Sequence, residues 1–214
     1  MVFNIVCFHG FTQNSDILKK KLKNLVKSNK DIILHFMDGT IILSSGQDLV
    51  QQQRAYWIYD KENPLNVIWE NDHKPETKLY FLEDSLKAFI DLGNSIGNVD
   101  GLIGFSQGGC FADYICKLHS KGEIKFDIKF AIFISGKHFE KPEYGLDTIK
   151  PTLETLHIHG SDDTIITPKM SELLEESYTN KEIFVHKGAH VIPSSSAAKT
   201  TFKNFITKCL HKYT

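Results

Sequence analysis

The chain has 214 residues, 41% hydrophobic and 24% charged, which suits one folded domain with a substantial core and excludes a disordered or low-complexity protein. Twenty-five Lys plus Arg against 26 Asp plus Glu leave a formal net charge of −1, so no overall field draws in nucleic acid or an anionic membrane. A small, roughly neutral partner is the expectation.

The chain opens on an apolar run, Phe3 to Phe8, with no basic leader before it, and no run approaches the roughly 18 apolar residues that span a bilayer. A cytoplasmic protein with no transmembrane segment is expected. A Lys-rich helix follows Ser15, with Ile17, Leu18, Leu22, Leu25 and Val26 on one face, and Ile32 to Met37 is the next strand run. The stretch from Ser44 to Lys78 breaks the rhythm, being Gln-rich and then aromatic among charges, and reads as a lid or pocket-lining insertion. Leu86, Phe89 and Ile90 mark a second helix, Gly101 to Phe105 a strand, and a third helix opens at Gln107. Phe130 to Ile134, Thr155 to His159 and Glu182 to His186 are further strand runs. An irregular insertion, His138 to Pro151, follows the first of these, and helices are expected at about Lys169 to Tyr178 and Ser195 to His211.

Because the strand runs are almost continuously apolar, they are expected to be buried on both faces, as in a parallel sheet. Alternating strands and helices predict a single α/β domain over 1–214, a three-layer α/β/α sandwich with a mostly parallel sheet.

The sharpest chemical signal is Gly104-Phe105-Ser106-Gln107-Gly108-Gly109, a G-x-S-x-G between a strand run and a helix. That context is what a nucleophile elbow needs: Ser106 on a strained turn, with Gly104 and Gly108 leaving out side chains that would collide across it. A serine hydroxyl is a poor nucleophile at neutral pH and needs a base, and the base an orienting acid. In α/β hydrolases the chain order is Ser, acid, His. Two adjacent carboxylates, Asp162 and Asp163, follow the Thr155 to His159 run. The G-x-x-D spacing favours Asp163, with Asp162 left to cap the following turn. His190 lies after the last strand run, in a Gly-containing loop before Pro193, and is the candidate base. The candidate oxyanion donors are the backbone N–H of Gln107, at a helix N-terminus, and that of Phe11, in the loop after the first strand. His9 is expected to orient that loop, with Asn14 or Ser15 capping the next helix. Cys110, inside the helix after Ser106, reads as a core residue.

The cysteines, Cys7, Cys110, Cys116 and Cys209, lack metal-ligand spacing and are expected as reduced, buried thiols. His157, His159 and the neighbouring aspartates have no third cluster at ligand spacing, so no metal site is expected.

Together these residues resemble the FSH type of small eukaryotic serine hydrolases, related to the ovarian-cancer-associated esterase, within the α/β-hydrolase superfamily. The resemblance runs nearly the whole chain: His9-Gly10-Phe11-Thr12-Gln13-Asn14, Arg54-Ala55-Tyr56-Trp57, Asp100 to Gly108, Ile134-Ser135-Gly136, Gly160 to Asp163 and His186 to Pro193. It implies Ser106 as nucleophile, Asp163 as orienting acid and His190 as base. Departures are Ala189 for a usual second glycine, Asp38-Gly39-Thr40 for D-A-P, and Lys137 where an aromatic is common.

The resulting expectation is a hydrolase of carboxylic esters, thioesters included, acting through an acyl-enzyme without metal or organic cofactor. Its partner is a small ester with an aliphatic acyl chain, and Tyr56, Trp57 and Trp69 of the insertion are candidate pocket residues. The alternative is a non-catalytic module of the same fold that binds a small apolar ligand.

Overall fold

The computed structural model describes residues 2–23, 25–26, 29–44, 52–68, 74 and 76–214. The elements run β1 (Phe3–Phe8), α1 (Ser15–Leu22), β2 (Ile32–Met37), β3 (Ile41–Ser44), β4 (Gln53–Ala55), α2 (Leu82–Ile96), β5 (Gly101–Phe105), α3 (Gln107–Ser120), β6 (Phe130–Ile134), β7 (Glu154–Gly160), α4 (Pro168–Glu176), β8 (Lys181–His186) and α5 (Ser196–Tyr213). Six strands form one sheet in the order β2-β1-β5-β6-β7-β8, and each neighbouring pair is parallel.

The inner strands follow from their composition. Every residue of β5, β6 and β7 is buried, as their unbroken apolar runs require. Burial on both faces does not extend to β2 and β8, which are the two edges of the sheet. In β8 exposed and half-buried residues alternate, with Ile183 and Val185 largely in solvent.

One face of the sheet packs Phe89 of α2, Phe111 and Ile115 of α3 and Leu174 of α4 against Val6, Phe8 and Phe133. The other packs Leu18 and Leu22 of α1 and Phe202, Phe205 and Cys209 of α5 against Ile5, Ile103 and Ile132. Each such side chain contributes roughly 1.5–3 kcal/mol by leaving water. The Asn14 carboxamide oxygen accepts from the Ile17 amide at 2.9 Å and starts α1, while Ser195 accepts from Ala198 and starts α5. No helix among the described residues is long and apolar enough to cross a membrane.

Strand order reverses between β1 and β5. The loop leaving β1 feeds α1 on one face, and the loop leaving β5 feeds α3 on the other. Loops that part in this way open a crevice at the carboxyl ends of the strands, where open α/β sheets bind ligands.

The Ser44 to Lys78 insertion begins on an antiparallel pair, β3 with β4, most of β3 lying ahead of it. It closes on the sheet through Ala55-Tyr56-Trp57-Ile58-Tyr59, all buried. Gly39 lies so close to this segment that a Cβ there would come within 2.4 Å of the Ala55 carbonyl oxygen. The second insertion meets the first at Lys141, which is 1% exposed and donates to the carbonyls of Lys74 and Thr77.

Candidate active site

Ser106 sits between β5 and α3 at φ 55, ψ −119, a conformation that costs of order 1–3 kcal/mol for a residue with a side chain. Its surroundings hold it there. The Ser106 amide donates to the Ile134 carbonyl at 3.0 Å, and its own carbonyl accepts from the amides of Gly109 and Cys110. The flanking glycines are sterically required: a Cβ on Gly104 would lie 2.2 Å from the Gly108 oxygen, and one on Gly108 2.3 Å from the Phe8 oxygen.

The acid and the base arrive from the next strands along. Asp163 follows β7 and is 3% exposed; one carboxylate oxygen accepts from the amides of Ile165 and Ile166 at 2.9 and 3.0 Å. The turn-capping part that the sequence allotted to Asp162 is thus played by Asp163 itself. Asp162 is exposed and accepts from the Ser161 hydroxyl. The other Asp163 oxygen lies 2.7 Å from His190 Nδ1, and His190 Nε2 lies 2.8 Å from Ser106 Oγ. A carboxylate only accepts, so the proton sits on Nδ1 and leaves Nε2 free to take one from the serine. The two loops are tied together: Ser161 and Asp162 amides donate to the carbonyls of His186 and Gly188. Gly160 permits this contact, since a Cβ there would meet the Gly188 oxygen at 2.1 Å.

The Gln107 amide is the first of α3, a position whose N–H has no acceptor within its own helix. Phe11 lies in the β1–α1 loop and lines the same cavity as Ser106. His9 is buried beneath that loop. Its Nε2 accepts from the Gly39 amide at 2.8 Å, so its Nδ1 carries the proton and donates to the Gly10 carbonyl. Burial lowers its pKa to about 4, which keeps the ring neutral and in a bracing role.

Ser106 and His190 open into a cavity of about 670 Å³. Its apolar wall is Phe11, Val67, Ile68, Phe105 and Ile165, with Thr12, Gln13 and Thr164 as polar lining. The insertion does contribute, through Val67 and Ile68. Tyr56 and Trp57, the candidate pocket residues, are not part of that wall: they are 0% and 1% exposed, and Tyr56 stacks on Phe111 with ring centroids 4.8 Å apart. Their flat apolar surface gains more by filling the space between insertion and sheet than by lining a wet cleft. Trp69 lies outside the described residues. The wall residues carried a weak signal in the sequence, the short apolar runs Val67-Ile68-Trp69 and Ile165-Ile166 standing among mostly polar neighbours.

The remaining histidines beside the acid pack or pair. His157 packs against the rings of Phe133 and Tyr178, and burial lowers its pKa to about 3. His159 faces Glu175 at 3.0 Å. Among the described residues no group of three His, Cys, Asp or Glu is placed to hold a metal.

A buried carboxylate, an imidazole and a serine in line, beside a helix N-terminus, are equipped to make an alcohol nucleophilic and to stabilise an anion formed next to it. The comparisons agree with that chemistry. Residues 2–202 match the family model described as serine hydrolase (FSH1). The chain is 32% identical to esterase CG5412 of Drosophila melanogaster over 98% of its own length and 75% of the fly protein, and 26% identical to esterase OVCA2 of Xenopus tropicalis over 98% and 94%. Among solved structures it is similar to that of esterase PE8, with a TM-score of 0.69 and 21% identity over 97% of this chain and 92% of that one, a likeness of fold. With an α/β-hydrolase fold and a family match along nearly its whole length, the chain belongs to the FSH1 serine hydrolase family.

Proposed function

We propose that the protein hydrolyses carboxylic esters, thioesters among them, through an acyl-enzyme on Ser106. The observation that carries this is the unbroken hydrogen-bonded line from Asp163 through His190 to Ser106 at the floor of the cavity. As the Ser106 oxygen attacks the acyl carbonyl, His190 Nε2 takes the hydroxyl proton, and the charged imidazole is held by the buried Asp163. Negative charge gathers on the carbonyl oxygen, where the Gln107 and Phe11 amides are the proposed donors. Collapse of the tetrahedral species breaks the bond to the alcohol or thiol, which leaves with the proton from His190. Water, deprotonated by His190, then cleaves the acyl-enzyme and restores Ser106.

The apolar wall of Phe11, Val67, Ile68 and Ile165 supports an aliphatic acyl chain as the group bound. Four buried cysteine thiols suit a reducing compartment and support a cytoplasmic setting.

A fluorophosphonate probe tests the reaction: labelling of the wild type that is lost in Ser106→Ala is the expected result, whereas a folded wild type that takes no label would make the chain a binding module instead. A series of p-nitrophenyl esters tests the acyl group. The expected result is a kcat/KM that rises with chain length; a flat series would remove the aliphatic assignment.

A further inference from the structure

The two proposed oxyanion amides, Phe11 and Gln107, come from opposite sides of the crevice, one after β1 and the other after β5. Their separation is therefore not set by a single element. Both loops are instead bonded to one stretch of the insertion, Arg54 to Trp57.

On the β1 side, the Thr12 amide donates to the Arg54 carbonyl at 3.0 Å and the Arg54 amide to the Gln13 carbonyl at 2.9 Å. The Tyr56 hydroxyl accepts from the His9 amide at 3.0 Å and donates to the Met37 carbonyl at 2.9 Å. On the β5 side, the Gln107 side chain accepts from the Tyr56 amide at 3.0 Å and donates to the Trp57 carbonyl at 2.9 Å. These partners allow the carboxamide one orientation only, because an amide N–H must donate and a carbonyl must accept. The Tyr56 carbonyl in turn accepts from Ser85 at 2.7 Å. Gln107 and Tyr56 are 1% and 0% exposed, so water does not compete for these bonds.

We propose that Gln107 and Tyr56 are positioning residues: through the Arg54–Trp57 stretch, the Gln107 carboxamide and the Tyr56 hydroxyl hold the Phe11 and Gln107 amides at the spacing an oxyanion needs. The proposal rests on the ester-hydrolase reading above. It gives the Gln107 side chain a duty separate from that of its own backbone N–H, and it explains why an insertion far along the chain is built into the core beside the elbow.

The test uses Gln107→Met, which keeps the side-chain length and loses both bonds, and Tyr56→Phe, which loses only the hydroxyl. Because removing an oxyanion donor costs ~10²–10³ in rate, a displaced donor is expected to cost each variant about tenfold in kcat. KM stays within about twofold, since the ground-state ester makes little use of the hole. Butylboronic acid, whose tetrahedral adduct on serine places an oxygen in the same hole, should bind more weakly by the same factor. The double variant should lose about as much as the worse single one, because both act through one brace.

Variants that melt like the wild type and keep kcat and boronate affinity within about twofold would overturn the proposal, as would losses that multiply in the double variant. Should Gln107→Met fail to fold, Tyr56→Phe decides alone. A wild type with no Ser106-dependent hydrolysis would instead defeat the ester-hydrolase reading on which the brace depends.

Discussion

His190 Nε2 lies 2.8 Å from Ser106 Oγ across 84 residues of chain, and the same ring reaches Asp163 with its other nitrogen at 2.7 Å. Neither contact is local. Each follows from three parallel strands, β5, β7 and β8, ending at the same rim of the sheet, with the Asp163 and His190 loops bonded to each other before either meets the serine.

Asp163→Asn should leave the fold intact and lower kcat by about 10⁴. The carboxamide oxygen can still accept from the Ile165 and Ile166 amides, while its NH₂ faces His190 Nδ1 and favours the tautomer with the proton on Nε2. Nε2 then no longer accepts from Ser106. Thermal melting beside steady-state rates checks this: an unchanged rate in a folded variant would remove Asp163 from the mechanism.

Gly160→Ala tests the joint between the acid and base loops. The added Cβ would lie 2.1 Å from a backbone oxygen, that of Gly188, so one loop must move. A cost of roughly 1–3 kcal/mol in stability is expected, together with lost activity from a displaced His190. Urea unfolding and rates measured on the same preparation distinguish the two effects.

Acid should destabilise the protein before it reaches the carboxylates. His9 and His157 have pKa values lowered by burial to about 4 and about 3, against 6.5 when unfolded. Below pH 6.5 the unfolded chain takes up protons that the native state refuses, so stability falls as pH drops from 6.5, by roughly 3 kcal/mol for each group by pH 4. Melting temperatures between pH 7 and 4.5 should show that slope, and His157→Leu should flatten it. A slope unchanged in His157→Leu would count against this cause.

Thiol reagents should spare the native enzyme. Cys7, Cys110, Cys116 and Cys209 are all buried, and burial pushes the Cys7 and Cys116 thiols far up and Cys209 to about 12. Iodoacetamide is expected to leave activity unchanged and to label all four sites once urea unfolds the chain. Rapid inactivation of the folded protein would reopen Cys110 as a reactive group.

The six strands of the main sheet and the three residues of the hydrogen-bonded line are legible in the sequence. A strand buried on both faces has to be an unbroken apolar run, and a strand-to-helix elbow has to be glycine-flanked, so both leave local marks in the chain. Edge strands leave a weaker mark, because β2 and β8 have a neighbour on one side only yet keep apolar side chains for the face that is covered. The G-x-x-D spacing also favours Asp163 over the adjacent Asp162, but only the folded β7 loop assigns the turn cap and the imidazole contact to the same carboxylate.

What tertiary structure alone decided is where the insertion's aromatics go. Tyr56 and Trp57 would look the same in sequence as cavity wall or as core, since composition records that a side chain is apolar and not which surface it covers. Packing against Phe111 and bonding through Gln107 settle it, and both depend on residues about 50 positions away in the chain. The chemistry of this protein was therefore written locally, in short motifs with fixed spacing. The shape around that chemistry, with Val67, Ile68 and Ile165 as its wall, came from long-range packing that no local pattern encodes.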